Sequence, residues 1–353
     1  MLYHYNKAGT TAGMRSRLAA NAPGRLFVDS SCINCDTCRW MAPDTYGHDA
    51  GQSFVHTQPP STAGALKVAA LAAMVACPTG SIRLAKGERE ADMKVVKSSF
   101  PLHIDAERVP NLFHAGSHSA ASFGATPYLL LGATSALVDS PRYNSQLADR
   151  IARLCGGAPD FLLLTHMDDV SDHQRWAERF PTMMRVMHSL DVRDEHSWPY
   201  IDMTSIETQL TGEGPWELAP GLEAIHTPGH SRGHLCFLAS GSLTGGDGAL
   251  FTGDHLAFSG RLGRLDGFAS YGWDTAMQVG SIRKLAKLPF RWVLPGHGRR
   301  YAFPTDEERE AAIAACADEF ERDPTGATAP GPVYVVPGQP ASARLQAWRE
   351  RMT

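Results

Sequence analysis

No stretch of the chain is apolar for long enough to cross a membrane. A transmembrane helix needs about 18–20 consecutive apolar residues, and the longest candidate, Ala65 to Ala76, is interrupted by Lys67. The start, MLYHYNKAGTTAGMRSRLAANAPGRL, lacks the apolar core of a secretory signal. It carries Lys7, Arg15, Arg17 and Arg25 and no acid before Asp29, which suits a solvated tail or, alternatively, an organelle transit segment. A basic surplus is also missing. Lys+Arg number 33 against 37 Asp+Glu, a net charge of −4, which argues against a general nucleic-acid or anionic-membrane binder. There is no internal repeat. With 43% hydrophobic and 20% charged residues the chain is neither disordered nor fibrous. The seven cysteines are an odd number, which does not suit a disulfide framework. The expectation is a cytoplasmic protein with reduced thiols, organelle import remaining open.

What the chain does have is cysteine early and histidine late. At 353 residues, it is long enough for about two domains of ordinary size. Four of the seven cysteines precede residue 80, and most of the fifteen histidines follow residue 100. The expected divisions are a flexible tail over 1–24, a small domain over 25–97, a larger domain over 98–323, and a Pro/Gly-rich tail with a short helix over 324–353. In the larger domain, buried-strand runs such as Tyr128–Leu131, Ala136–Val138 and Phe161–Leu164 alternate with helical segments such as Gln146–Leu154 and Asp274–Leu288. That alternation predicts an α/β fold. Asp306–Phe320 reads as a late helix capped by Thr305.

Cys32, Cys35 and Cys38 form CxxCxxC, and Cys77-Pro78 follows. Three thiolates in a tight loop can hold three corners of a cubane cluster, and a distant Cys-Pro can supply the fourth. The segments CINCDTCRWMAPDTYG and ACPTGSI resemble single-cluster bacterial-type ferredoxins. The resemblance implies one 4Fe-4S cluster on Cys32, Cys35, Cys38 and Cys77 in a ferredoxin-like α+β domain. The competing reading is a structural zinc site, although zinc usually takes paired CxxC units. Cys155, Cys236 and Cys316 sit in apolar contexts and read as packing residues. Trp40, beside Cys38, reads as a cover over the cluster.

In the second domain four motifs follow short apolar strands. They are His166-Met-Asp168-Asp169-Val-Ser-Asp172-His173, His226-Thr-Pro-Gly-His230-Ser-Arg-Gly-His234, Thr-Gly-Asp254-His255 and Pro-Gly-His297-Gly. Imidazoles and carboxylates aimed from strand ends suit zinc, iron or manganese. The order of these motifs resembles the metallo-β-lactamase superfamily, in its glyoxalase II-like and flavodiiron-like branches. That resemblance implies an αββα sandwich with two divalent metals at one edge. His166 and His230 would bind the first metal, Asp172, His173 and His297 the second, and Asp254 would bridge. Asp254 and Asp172 are the candidate catalytic groups. The usual HxHxDH is altered here, because Asp168 stands at the second His position and two residues precede Asp172-His173. Asp168 keeps the offset from His166 and is assigned to the first metal, and Asp169 is read as an acid orienting a His ligand. Which of Asp168, Asp169 and Asp172 coordinate stays open. His226 and His234 read as loop-packing groups, His255 as a pocket or structural residue, and Arg261, Arg264, Tyr271 and Trp273 as loop residues.

Two functions follow. In the first, a dimetal enzyme receives electrons from the fused iron–sulfur domain, as Asp168 and the cluster together suggest. In the second, a metal-dependent hydrolase cleaves a thioester, lactone or phosphoester, and the cluster is structural or regulatory. Either acts on a small-molecule substrate. The redox reading adds an external electron donor and allows a homodimer.

Overall fold

The computed structural model describes residues 15–49, 52–62, 64–86, 92–117, 119, 125–193, 201–260, 262–267 and 272–323. The expected tail over 324–353, residues 1–14, Arg261 and Tyr271 lie outside the described residues.

The cysteine-rich unit is built from β1 (Leu26–Val28), α1 (Thr37–Met41), β2 (Tyr46–Asp49), β3 (Gln52–Val55), α2 (Ala65–Ala76) and β4 (Ile82–Leu84). β1 pairs antiparallel with β4, and β2 with β3. Its core is small: Leu26, Val28, Tyr46, Val55, Ala70, Ala73 and Ile82 pack with Cys32 and Cys38. Residues 15–24 are part of this unit and not a free tail. Leu18 N–H donates to Val28 O, and the Asn21 side chain bonds Val28 and Val55. The amide of Asn21 satisfies backbone groups at the edge of two strand pairs, which binds the segment down. Next comes α3 (Met93–Ser99).

The second unit continues with β5 (Leu102–Asp105), β6 (Val109–His114), β7 (Tyr128–Leu131), β8 (Ser135–Val138), α4 (Ser145–Cys155), β9 (Phe161–Leu163), α5 (His173–Arg179), β10 (Met184–His188), α6 (Ser189–Val192) and β11 (Thr208–Leu210). Then follow β12 (Trp216–Ala219), β13 (Leu222–His226), β14 (Leu235–Ala239), α7 (Gly241–Thr244), β15 (Ala249–Gly253), β16 (Ala257–Ser259), β17 (Arg264–Asp266), α8 (Thr275–Leu285), β18 (Trp292–Pro295), β19 (Tyr301–Ala302) and α9 (Asp306–Arg322). Among the described residues two large sheets form. One is a seven-stranded sheet in the order β11-β10-β9-β8-β7-β6-β5, the other a six-stranded sheet in the order β12-β13-β14-β15-β18-β19.

The sheets face each other across Leu112, Leu130 and Leu163 from the first and Phe237, Phe251 and Leu294 from the second. α4 and α5 cover the outer face of the first sheet through Leu147, Ile151 and Trp176. α8 and α9 cover the second through Ile282, Leu285, Ile313 and Phe320. This is an αββα sandwich. Its central strands, such as Phe161–Leu163 and Ala249–Gly253, are apolar on both faces because both faces are covered. α4 starts at the Asn144 cap, α8 at Asp274 and α9 at Thr305, each side chain accepting the backbone N–H three residues on.

β15 and β18 run parallel, so their C-terminal ends share one edge. A register irregularity lies between Phe251 and Gly253. Such a bulge re-aims the residues that follow a strand. Here those are Asp254 after β15 and His297 after β18. The loop after β9, which carries His166, leads to the same place.

Candidate metal centres

His166 has its tautomer set by its neighbours. Thr165 Oγ1 donates to Asp139 Oδ1 at 2.9 Å and lies 2.9 Å from His166 Nδ1. Its single proton is spent on Asp139, so it must accept from Nδ1–H, which leaves the Nε2 lone pair free to bind a metal. That Nε2 is buried without a hydrogen-bond partner. It stands 3.8 Å from Asp168 Oδ2 and from Asp169 Oδ2, and 3.9 Å from Asp254 Oδ2. His230 Nε2 lies 3.9 Å from both Asp168 and Asp254. A bare lone pair ringed by carboxylates and a second imidazole is the donor set of a metal site. Two groupings bring candidate ligand atoms within 4.8 Å of one another: His166, Asp168 and His230, and His166, Asp169 and Asp254. His297 joins through Asp254, its Nδ1 being 2.7 Å from Asp254 Oδ1. Both groupings share the one free nitrogen of His166, so the donors fit a metal ion there.

The electrostatics agree. Burial pushes His166 down to about 4, so it is neutral at ordinary pH and available as a ligand. Burial alone would raise Asp254, but His297, His166 and His230 outweigh it and hold the carboxyl well below its usual range. For Asp168, burial is likewise outweighed, by the bond to His230 and the charge of His166, and the carboxyl is lowered.

Asp172 and His173 are turned to other partners. Asp172 sits at φ 64° ahead of α5, and its Oδ2 accepts the Tyr143 N–H at 3.0 Å. Arg185 Nη1 lies 2.9 Å from His173 Nδ1. A guanidinium can only donate, so Nδ1 accepts and the imidazole proton stays on Nε2. The same Arg185 is paired with Glu207 at 2.6 Å. Burial and the Arg185 charge lower His173 to about 4. Neither residue enters the two groupings of atoms within 4.8 Å of one another, and nor does His297. Asp169, read from the sequence as an orienting acid, stands among the ligand atoms instead.

Two supporting residues carry no sequence signal of their own. Asp139 holds Thr165, and burial raises its carboxyl to about 7. Asp191 accepts Met167 N–H at 3.1 Å, Ser231 Oγ–H at 2.6 Å and Gly233 N–H at 2.6 Å. It thus ties the His166 loop to the His230 loop. A Cβ on Gly233 would meet Asp191 Oδ1 at 2.8 Å, so the approach requires glycine. Each anchor lies far along the chain from what it holds. His226 packs against His188 at 4.3 Å between ring centroids and bonds Arg232 O, while His234 and His255 extend a row of buried rings behind His166. Arg264 pairs with Glu319, and Arg232 covers the Trp273 ring.

In the small unit Cys32, Cys35, Cys38 and Cys77 line one cavity with Val28, Ile33, Thr37, Ser53, Thr79, Ser81 and Ile82. Asn34 N–H donates to Cys32 Sγ at 3.4 Å, and Ser81 N–H to Cys77 Sγ at 3.3 Å. Burial raises the Cys32 and Cys38 thiols, and lifts Cys35 to about 12. Thiolates this deep need a cationic centre to ionise, which fits an iron–sulfur cluster. Trp40 is placed at the seam between the units, under the Arg300 guanidinium at 4.5 Å and beside His114.

Comparison with known proteins finds a family match in each unit. Residues 28–84 match the family model of the 4Fe-4S single-cluster domain of Ferredoxin I. Residues 156–297 match that of the metallo-β-lactamase superfamily. The chain therefore carries a metallo-β-lactamase-superfamily domain. It is joined to an N-terminal ferredoxin-type iron–sulfur domain. Among solved structures, the archaeal metallo-β-lactamase superfamily protein ST1585 from Sulfolobus tokodaii is 17% identical, with a TM-score of 0.42, covering 64% of this chain and 93% of that one. TTHA1623 in a di-iron-bound form is 25% identical, with a TM-score of 0.38, covering 51% and 90%. BJP-1, a subclass B3 metallo-β-lactamase of Bradyrhizobium japonicum, is 17% identical, with a TM-score of 0.40, covering 60% and 90%. A search of curated protein sequences finds no match. Among the described residues no helix is long and apolar enough to cross a membrane.

Proposed function

We propose that the protein is a redox-active dimetal enzyme whose iron–sulfur domain delivers electrons to the metal site. One observation carries this reading. The cluster loop touches the loop of a candidate metal ligand: Gly298 N–H donates to Cys35 O at 3.3 Å, and Gly298 follows His297. Electron delivery needs the two loops to lie close together, whereas hydrolysis needs no electrons. Iron in the dimetal site would supply one-electron redox chemistry and open positions for a small-molecule oxidant, with an external one-electron donor reducing the cluster. The chain's own residues do the positioning. Thr165 presents His166 Nε2, Asp191 holds the two histidine loops together, and the carboxylates of Asp168, Asp169 and Asp254 favour iron or manganese over zinc.

The match of residues 156–297 to the metallo-β-lactamase superfamily favours a second reading, metal-dependent hydrolysis. One experiment separates the two. Anaerobically purified protein, brown and carrying about four irons and four sulfides in its cluster, is reduced with a viologen dye, and the dimetal signal is followed by electron paramagnetic resonance. The redox reading expects iron in the second site, and its reduction by dye only when the cluster is present. A Cys32→Ser, Cys35→Ser variant should lose that reduction. If that variant holds only zinc and cleaves a chromogenic thioester at the full-length rate, the redox reading is wrong. A colourless protein with one zinc in the cysteine site would remove the cluster altogether.

A further inference from the structure

The loop that carries His297 is held from two sides. On its own domain, Arg299 N–H donates to Phe258 O at 3.0 Å and Phe258 N–H to Arg299 O at 3.2 Å. From the other domain come two bonds of the cluster loop. Cys35 O accepts from Gly298 N–H, and the Asp36 carboxylate is ion-paired with Arg299 Nε. Asp36 is buried, with 8% of its side chain exposed, and the Arg299 guanidinium lies where a Cβ on Gly260 would meet Nε at 2.3 Å. Arg299 is thus clamped between Gly260 and the cluster loop, two residues beyond His297.

The cluster loop holds an unusual shape. Asn34 and Asp36, on either side of Cys35, are both left-handed at φ 62° and 68°. Such residues cost free energy and persist when their surroundings over-determine them. Arg39 contributes, donating to Asp36 at 2.6 Å and to Asn34 at 2.8 Å. The convergence of Cys32, Cys35 and Cys38 on one cavity contributes the rest.

We propose that the cluster loop is an outer wall of the dimetal centre, and that Asp36 and Arg299 are positioning residues that couple cluster occupancy to metal retention through His297. With the cluster in place, the carbonyl of Cys35 and the carboxylate of Asp36 are fixed, and Gly298 and Arg299 hang from them. Without it, the left-handed residues relax, both bonds are released, and His297 is no longer held against Asp254. The coupling is reciprocal: metals that hold His297 also favour the cluster-bearing loop. The redox reading is not required, since a hydrolase with the same seam would show the same coupling.

The test is cobalt binding to the full chain under anaerobic conditions, by competition with a chromophoric chelator, with cluster content read from its iron, sulfide and brown absorbance. Cluster-loaded Arg299→Ala should keep its cluster yet bind cobalt roughly 10–100-fold more weakly, the usual effect of losing a residue that orients a ligand. A Cys32→Ser, Cys38→Ser variant should show a similar loss. Adding Arg299→Ala to it should cost little more, because both changes cut the same link. Arg299→Lys should restore part of the affinity. If Arg299→Ala loses native circular dichroism, Asp36→Asn, which keeps the side-chain shape and removes the charge, decides. Wild-type cobalt affinity in cluster-loaded Arg299→Ala or Asp36→Asn, or in the cluster-free protein, overturns the proposal. So does full additivity of the two losses.

Discussion

Asp191→Asn is the most informative single change, because Asp191 bonds both histidine loops yet belongs to neither ligand grouping. The native carboxylate uses both oxygens. Oδ2 takes the Met167 N–H and the Ser231 hydroxyl, and Oδ1 takes the Gly233 N–H. Asparagine can keep one oxygen on the two-donor side. Its amide NH₂ then faces Gly233 N–H, donor against donor, inside a residue that is 0% exposed. One charge-assisted bond is lost and one buried N–H is orphaned, at a cost of about 2 kcal/mol. The flip side of the asparagine is no better, since it would orphan Met167 N–H, next to His166. The strain therefore falls on a loop that presents a ligand whichever way the amide lies. Two measurements check this. The urea midpoint of the metal-free protein should fall by about 1 M, taking a slope of about 2 kcal/mol/M, and cobalt affinity should drop about tenfold or more. An unchanged midpoint together with unchanged affinity would refute the argument that Asp191 ties the two histidine loops. A fallen midpoint with unchanged affinity would confine it to folding.

Thr165→Val keeps the shape of the side chain but leaves His166 Nδ1–H without its acceptor. Metal affinity should fall roughly 10–100-fold, and wild-type affinity in a metal titration would show that another group sets the tautomer. Acid should destabilise the metal-free protein in a defined window. Burial lowers His114 to about 3 and, with Arg185, His173 to about 4. Both are neutral in the fold and titrate near pH 6.5 when unfolded, so the unfolded chain binds more protons between about pH 4 and 6.5. Their contribution is complete above pH 6.5 and is withdrawn as pH falls, each by about 1.4 kcal/mol per pH unit. His114→Gln should flatten that limb of a stability–pH curve, and an identical slope would disprove it. Trp176 is fully buried behind the first sheet, its Nε1–H donating to Pro141 O at 2.7 Å. Trp176→Ala should lower stability by about 3–5 kcal/mol, seen as a large drop in thermal midpoint.

Much of the architecture is local and so can be read along the chain. CxxCxxC and Cys-Pro need only short-range geometry, and the four cysteines meet around one cavity. The capped helices at Asn144, Asp274 and Thr305 and the apolar strands at Tyr128–Leu131 and Ser135–Val138 also follow from neighbouring residues. The metal site is less legible. His166, His230 and Asp254 announce themselves because each ends a buried strand or opens a glycine turn. The next ligands do not, because the choice among Asp168, Asp169, Asp172 and His173 depends on what each side chain meets. His173 meets Arg185, which strand β10 brings in from 12 residues away.

The sequence by itself determined the chemistry available to this protein: thiols in one block, imidazoles and carboxylates in another, and two folds to hold them. Only the tertiary structure decided which of those groups share a site. It placed Asp169 beside His166, recruited Thr165 and Asp191 as supports, and laid the cluster loop on the loop of His297. The reason is physical. Composition and spacing set what each segment can donate, but orientation comes from hydrogen bonds and ion pairs between segments 24 to 263 residues apart, such as Met167 with Asp191 and Asp36 with Arg299. Those contacts exist only once the sheets have packed.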